Sequence, residues 1–164
     1  MRYLLDTNVV EHAWRYSLGS ENVLADPIDQ LAATDQERLA SDLRALHDLL
    51  ERTHRGAPEF IVAAASLREL AESNVLDADR VMAWAQELAE YAAPVEWAEE
   101  WSSLRESLVL LDFVRLGDAV LICETARLDC TAMLTCDYRL ARQRHRIRRV
   151  SGVDVLTPSF SVAS

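Results

Sequence analysis

The chain of 164 residues contains no lysine, and all 17 of its basic side chains are arginine. A P-loop uses a lysine to contact nucleotide phosphates, so the sequence excludes a site of that kind. Phosphatases that form an aspartyl-phosphate also need a lysine, and they carry a second Asp two residues after the first. Here Asn8 holds that place after Asp6, which argues against this class as well.

Cysteine and glycine motifs are equally sparse. The three cysteines, Cys123, Cys130 and Cys136, include no C-x-x-C pair, so neither a disulfide framework nor a zinc site is indicated. The sequence has no G-x-S-x-G and no G-x-G-x-x-G, which argues against a serine hydrolase and a dinucleotide-binding protein.

Long apolar runs are missing too, since no stretch of eighteen apolar residues occurs and Met1-Arg2 leads directly into Tyr3-Leu4-Leu5. We therefore expect a cytoplasmic protein that does not associate with a membrane. Half of the residues are apolar. A chain of this length can bury a core without disulfides, and we expect one domain over residues 1–164.

Charge is distributed unevenly in this acidic chain, whose net charge is −10. Residues 1–138 carry 11 Arg against 26 acidic residues, whereas residues 139–164 carry six Arg against Asp154 alone. An acidic protein binds nucleic acid poorly through its overall field, so any such contact must be local. The arginine-rich segment 139–149 is the candidate for it, and a solvated helix end is the alternative interpretation.

Four short apolar runs alternate with helical patterns. The predicted strands are Tyr3–Leu5, Phe60–Ala65, Thr131–Thr135 and Val150–Leu156. Helices are predicted after Asp6, over residues 34–55, from Leu67, over residues 117–128, and after Asp137. The helix over residues 34–55 begins with a capping box at Thr34–Glu37 and is expected to stop at Gly56 and Pro58. A helical hairpin is predicted between them, with stripes at Val81, Trp84 and Leu88 and at Trp97, Trp101, Leu104 and Leu108, separated by Pro94. This alternation is typical of a doubly wound α/β fold.

Four acidic residues stand at the beginnings of predicted helices: Asp6, Glu69, Asp118 and Asp137. Each alone has an ordinary interpretation as a helix cap or as a first-turn acid. Three of them, however, follow strand ends directly, and ligands of open α/β sheets bind outside the carboxyl ends of the strands. We expect the four carboxylates to share one crevice, with Glu72 as an alternative to Glu69 for the second acid.

Four carboxylates in one crevice cannot all stay ionised without a counter-charge. Oxygen ligands without nearby His or Cys favour Mg²⁺ or Mn²⁺ over zinc. Such a site can activate water and stabilise the attacking and leaving oxygens of a phosphodiester. The pattern therefore predicts metal-dependent hydrolysis of nucleic acid.

The motifs resemble those of PIN-domain proteins, and within them the VapC-type ribonuclease toxins of toxin–antitoxin pairs. The stretch L-L-D-T-N-V-V, with Asp6, Thr7 and Asn8, resembles the family's first motif, and L-R-E-L, with Glu69, resembles the second. The stretch G-D-A-V-L-I, with Asp118, resembles the third motif, and L-T-C-D-Y-R-L, with Thr135 and Asp137, resembles the fourth. The terminal D-V-L-T-P-S-F is similar to the family's closing strand. The resemblance implies a three-layer α/β/α fold with a parallel sheet, dependence on Mg²⁺ or Mn²⁺, and endonucleolytic cleavage of RNA.

The resemblance leaves the biological role open. The long segment between Asp6 and Glu69 exceeds what a minimal PIN domain needs, so the subfamily is not fixed. An RNA-processing nuclease without an antitoxin and an inactive PIN-like regulatory partner are the alternatives to a toxin. For a toxin, the resemblance implies a homodimer and a small antitoxin, for which we expect a docking surface around Trp84, Trp97 and Trp101.

RNA positioning is assigned to the arginines that follow the fourth acid, Arg139, Arg142, Arg144 and Arg146. Guanidinium groups bind phosphate bidentately, and Asp137 places the start of this segment near the crevice. Arg139, which is closest to the acids, can instead pair with one of them and hold its orientation.

Overall fold

The computed structural model describes residues 1–16, 28, 31, 36–53, 58–72 and 78–162. The strands are β1 (Arg2–Leu5), β2 (Glu59–Ala63), β3 (Glu90–Ala92), β4 (Ala132–Leu134) and β5 (Asp154–Leu156). The helices are α1 (Thr7–Arg15), α2 (Glu37–Thr53), α3 (Ala64–Glu72), α4 (Ala78–Leu88), α5 (Glu99–Val109), α6 (Leu116–Arg127), α7 (Tyr138–Arg142), α8 (Arg144–Ser151) and α9 (Pro158–Val162).

The five strands form one parallel sheet in the order β3-β2-β1-β4-β5. β1 is central, so that Leu4 lies opposite Ile61 on one side and Met133 on the other. Parallel strands need crossover connections, and the helices between consecutive strands provide them. The predicted α/β class with a parallel sheet is confirmed.

Side chains of the central strands alternate between two hydrophobic clusters, as the period of a strand requires. Tyr3 and Leu5 enter one cluster, which also holds residues of α1, α2, α3 and α4. Leu4 and Met133 enter the other, which holds residues of α5, α6, α7 and α8. Both faces of the sheet are therefore covered, which explains why its inner strands are continuous apolar runs.

The predicted helical hairpin is wrong. A strand, β3, lies between its two helices and pairs with β2, Val62 facing Tyr91. Val81 and Trp84 of α4 pack into one core cluster, whereas Leu108 of α5 packs into the other. The two helices therefore belong to opposite faces of the sheet, and α5 packs against α6 and α8.

Several boundaries also differ from the predictions. β2 ends at Ala63 and α3 begins at Ala64, two residues before the predicted transition at Ser66. Helix α8 continues to Ser151, and Gly152, with φ of 75°, ends it in the left-handed conformation, so β5 begins only at Asp154. The predicted start of the long helix at Thr34 and its end near Arg55 lie outside the described residues.

The long helix α2 follows the predicted spacing, with Leu43, Leu46 and Leu50 buried in the first core cluster. Within the described parts of the chain, no helix has both the length and the apolar character needed to cross a membrane.

Candidate functional site

The direction of the chain across the sheet reverses between β1 and β4. From β1 the chain continues outward to β2 and β3, and from β4 it continues outward on the other side to β5. In sheets of this kind a crevice opens outside the carboxyl ends of the two strands that flank the reversal. Asp6 directly follows β1, and Asp137 lies three residues after the end of β4. Both acids therefore stand at the edge where the topology creates a crevice.

Asp6 is the most deeply placed of the four predicted acids, with only 5% of its surface exposed. Its Oδ2 accepts hydrogen bonds from Thr135 Oγ1 at 2.6 Å and from Asn8 Nδ2 at 2.6 Å. Asp6 occupies the N-cap position of α1, yet its side chain makes no capping hydrogen bond. The capping interpretation therefore fails to account for this carboxylate.

The pKa of Asp6 is raised from its usual value of 3.8 to about 7. Burial is the largest cause, and repulsion from the Asp118 and Glu69 carboxylates acts in the same direction, against the hydrogen bonds from Thr135 and Asn8. Repulsion between carboxylates acts on a pKa only over short distances. Asp6, Glu69 and Asp118 are thus brought into a common electrostatic environment from three separate parts of the chain.

Thr135 connects the polar residues around Asp6. The side chain is fully buried, and its Oγ1 also accepts hydrogen bonds from the Asp137 backbone N–H at 2.9 Å and from Asn8 Nδ2 at 3.3 Å. Asn8 in turn accepts from the Cys136 backbone N–H at 2.8 Å. The loops after β1 and β4 are therefore joined by side chains, which fixes the orientation of the Asp6 carboxylate.

Glu69 reaches the site from the second turn of α3. Its Oε2 accepts a hydrogen bond from Thr7 Oγ1, and its Oε1 lies so close to Gly117 that a Cβ at that position would overlap it. Glu72 is exposed, and it is not among the residues that perturb Asp6. Between the two alternatives for the second acid, the side chain directed at α6 is that of Glu69.

Asp118 and Asp137 share a cationic neighbour. Asp118 accepts a hydrogen bond from the Arg115 backbone N–H at 3.0 Å, and Asp137 accepts from the N–H groups of Arg139 and Leu140, which caps α7. Nη2 of Arg139 lies 2.9 Å from Asp137 Oδ2 and 3.6 Å from Asp118 Oδ2. Its Nη1 donates to the Phe113 carbonyl. Arg139 therefore lies between the two carboxylates, as the alternative interpretation of this residue proposed.

Among the described residues, no three His, Cys, Asp or Glu side chains come close enough together to form a ready-made metal cage. The acids interact in two groups, Asp6 with Glu69 and Asp118, and Asp118 with Asp137 through Arg139. The donor set nevertheless suits a hard divalent cation, because every side chain offers carboxylate or hydroxyl oxygen. The pKa of Asp6 is raised first by burial and then by the Asp118 and Glu69 carboxylates, and a bound cation would offset both effects.

The other arginines of the basic segment contact different parts of the surface. The guanidinium of Arg144 lies 4.0 Å from the centroid of the Phe160 ring, and that of Arg146 lies 4.7 Å from the centroid of the Phe113 ring. Arg142, at the end of α7, is exposed. Stacking of this kind leaves the polar edge of a guanidinium available for an anion, so Arg142, Arg144 and Arg146 remain predicted to position RNA.

The tryptophans do not share one surface. Trp84 is 8% exposed and packs against Trp14, with ring centroids 5.7 Å apart. Trp97 is half-buried against the core cluster on the opposite face of the sheet, and Trp101 is half-buried on α5. Trp84 therefore cannot belong to the predicted docking surface, which is reduced to Trp97 and Trp101.

One polar residue close to the site was missed by the sequence analysis. Asp42 of α2 is fully buried and accepts hydrogen bonds from the backbone N–H of Ser159, at 3.0 Å, and from its hydroxyl. Burial, followed by the nearby Asp42 carboxylate, raises the pKa of Tyr138, the residue after Asp137. The sequence pattern that could have revealed Asp42 is its position three residues after Leu39, which places this acid on the apolar side of α2.

Protein-family models, curated proteins and solved structures were compared with the chain, and none of them matches it. The interpretation of this site therefore depends on its own geometry.

Proposed function

We propose that the protein is a metal-dependent endoribonuclease that hydrolyses RNA phosphodiester bonds, with Asp6, Glu69, Asp118 and Asp137 holding Mg²⁺ or Mn²⁺. The supporting observation is the buried Asp6 carboxylate at the reversal point of a parallel sheet, its pKa raised to about 7 by burial and by the neighbouring Asp118 and Glu69. A buried group with a perturbed pKa in a crevice is typical of a functional site.

Each acid has a partner that orients it. Thr135 and Asn8 hold Asp6, Thr7 holds Glu69, and Arg139 holds Asp118 and Asp137. A divalent cation at such carboxylates supplies Lewis-acid activation of water and neutralises the charge that develops on phosphate oxygens. When RNA binds, Arg139 can turn from the acids toward a phosphate, since guanidinium groups pair equally well with both anions.

The site belongs to an α/β sheet whose motif order resembles that of PIN-domain ribonucleases, and we propose this fold type for the chain. A toxin of a toxin–antitoxin pair is the role we favour within it. In that role a second copy of the chain and a small antitoxin would bind, the latter at the surface formed by Trp97, which precedes α5, and Trp101 on α5. An RNA-processing nuclease has the same chemistry without the antitoxin.

Cleavage of a mixed-sequence RNA by the purified protein tests the proposal. Activity should disappear in EDTA and return with Mg²⁺ or Mn²⁺, and the melting temperature of the protein should rise when either metal is added, because binding to the folded state stabilises it. Zinc should not be required.

The matched variants are Asp118→Asn in the site and Asp112→Asn outside it, where Asp112 is exposed in the turn before α6. Asp118→Asn is nearly isosteric and should leave the fold intact while lowering cleavage at least roughly a hundredfold, as losses of positioned charge do. Asp112→Asn should cleave like the wild type. Full cleavage by Asp118→Asn, or full activity of the wild type in thoroughly chelated buffer, would show that the acids are not the catalytic site.

A further inference from the structure

A cavity of about 210 Å³ opens at the carboxyl ends of β2 and β3. Ala64 and Ala65 of α3 and residues 92–95 after β3 form one part of its wall. The rest comes from Arg68, Trp97, Arg105, Val120 and Glu124. None of these residues belongs to the proposed acid cluster, so the cavity is a separate feature of the same edge of the sheet.

The indole of Trp97 is fixed in the cavity wall. Its Nε1 donates to Glu124 Oε1 at 2.8 Å, and Glu124 is held in turn by Arg127, whose Nη2 lies 2.6 Å from Oε2. Because Trp97 is only half-buried, part of its surface remains accessible. A ring that is oriented before binding loses little entropy when another flat ring stacks on it.

Two cations border the same cavity. Arg68 is exposed on α3, and the guanidinium of Arg105 lies 5.7 Å from the centroid of the Trp97 ring. Within the lining they outnumber the single acid, Glu124, whose carboxylate already pairs with Arg127. In a chain with a net charge of −10, this lining is a local site for an anion.

The cavity and the acids are bounded by the same two helices. Arg68 immediately precedes Glu69 on α3, and Val120 lies two residues after Asp118 on α6. At a rise of about 1.5 Å per residue, the cavity wall therefore begins within a helical turn of each acid. A strand of RNA with one phosphodiester at the acids would have a neighbouring nucleotide within reach of the cavity.

We propose that this cavity binds one nucleobase of a single-stranded RNA, stacked on Trp97, with an adjoining phosphate bound by Arg68 and Arg105. The inference rests on the proposed ribonuclease function and adds a base subsite to it. The volume is below the roughly 300 Å³ at which sites for drug-sized ligands begin, which suits a single ring system. Proteins bind single strands by combining aromatic stacking with cationic side chains along the backbone, and this lining offers both.

Binding is measured in EDTA, where cleavage is blocked, by fluorescence anisotropy of a labelled single-stranded RNA octamer. Trp97→Leu keeps apolar bulk but removes the aromatic face, and it should weaken binding roughly fivefold or more. Trp97→Phe keeps a ring and should retain most of the affinity. Arg68→Gln with Arg105→Gln should weaken binding and make it less dependent on salt, since both cations that hold the adjoining phosphate are removed.

The control is Trp101→Leu, which changes a half-buried tryptophan on α5 that does not line the cavity. A set of octamers that each lack one base provides the second measurement. One abasic position should weaken binding to the wild type by the same factor as Trp97→Leu, and the two changes combined should be no worse than either alone. This non-additivity separates stacking from a structural role of Trp97.

Equal loss of affinity in Trp97→Leu and Trp101→Leu would overturn the inference, as would abasic effects that simply add to Trp97→Leu. Inorganic phosphate that competes as well as adenosine or uridine 5′-monophosphate would show an anion site without base recognition, which also overturns it. Unchanged RNA binding with altered self-association of Trp97→Leu would assign the cavity to a contact between protein chains. Failure of the ribonuclease proposal has a different signature, because wild-type protein would then bind the octamer without cleaving it in Mg²⁺ or Mn²⁺.

Discussion

Gly117 and Glu69, 48 residues apart in the chain, are in such close contact that a side chain at position 117 would displace the Glu69 carboxylate. A Cβ there would overlap Oε1 of Glu69, while Oε2 of the same carboxylate accepts a hydrogen bond from Thr7. The missing side chain at the start of α6 is therefore what allows Glu69 to lie beside Asp118. Glycine within a helix costs roughly 1 kcal/mol relative to alanine, so this position trades helix stability for the approach of an acid.

Gly117→Ala should displace the Glu69 carboxylate and lower RNA cleavage by roughly tenfold to a hundredfold, the size of effect expected when a positioned group moves by about 1 Å. The melting temperature should change little, because the better helix former offsets part of the overlap. In a Glu69→Ala background the same substitution has nothing to displace and should cause no further loss. A full additional loss in that background would show that Gly117 acts independently of Glu69.

The pH dependence of stability follows from Asp6. Its folded-state pKa, about 7, lies above the usual 3.8, so ionising this carboxyl costs the folded state free energy. The penalty is absent below about pH 4, grows as pH rises to 7, and is at most about 4 kcal/mol.

In metal-free buffer at pH 8, Asp6→Asn should therefore melt roughly 3 °C or more above the wild type. The advantage should vanish near pH 4, and added Mn²⁺ should stabilise the wild type alone. Calorimetry at several pH values checks both trends, with Asp112→Asn as the control. An advantage that is constant from pH 4 to pH 8 would contradict the assigned pKa.

The basic segment gives a prediction about salt. Replacing Arg142, Arg144 and Arg146 together by Gln should weaken binding of single-stranded RNA and reduce the slope of log affinity against log salt by roughly 0.7 for each lost phosphate contact. Arg52→Gln, an exposed charge on α2, should leave the slope unchanged. Metal-induced stabilisation should survive the triple substitution. Should affinity and slope both equal those of the wild type, the segment is only a solvated connection to β5.

The buried pair Asp42 and Tyr138 should respond unequally to substitution. Asp42→Ala leaves the Ser159 backbone N–H of α9 without its acceptor, and it should destabilise the fold by about 1–3 kcal/mol. Tyr138→Phe removes a buried hydroxyl that interacts with Asp42 without a hydrogen bond of ordinary geometry in the described part of the chain, so it should destabilise the fold less than Asp42→Ala. Chemical denaturation measures both. A larger loss for Tyr138→Phe than for Asp42→Ala would reverse this assignment.

Sequence patterns predicted the central strands because parallel strands that are buried on both faces read as short apolar runs. Tyr3–Leu5 and Phe60–Ala63 are runs of this kind, and Asp6 directly follows the first, whereas Glu69 lies six residues after the second, in α3. β3 escaped prediction because it has three residues, lies at the edge of the sheet, and exposes Glu90 and Tyr91. Because β3 was not recognised in the sequence, the apolar stripes before and after it were interpreted as a helical hairpin.

The surroundings of the acids were harder to predict than their positions. The contacts of Glu69 with Thr7 and Gly117 depend on how α1, α3 and α6 pack together, which no local pattern encodes. The place of Arg139 between Asp118 and Asp137 could be suggested from its nearness to Asp137 in sequence, but not its contact with the Phe113 carbonyl. The cavity at Trp97 combines residues from four segments and had no counterpart in the sequence pattern.

The central position of β1 also affects when the site can form during synthesis. Asp6 is made first, yet the hydroxyl that orients it belongs to Thr135, 129 residues later, and the strand beside it on that side is β4. Such separations slow folding, because the loop must close before the contact contributes stability. A growing chain shorter than Thr135 lacks both this partner and Asp137. The acidic centre can therefore assemble only after Thr135 and Asp137 have been translated, long after Asp6 itself.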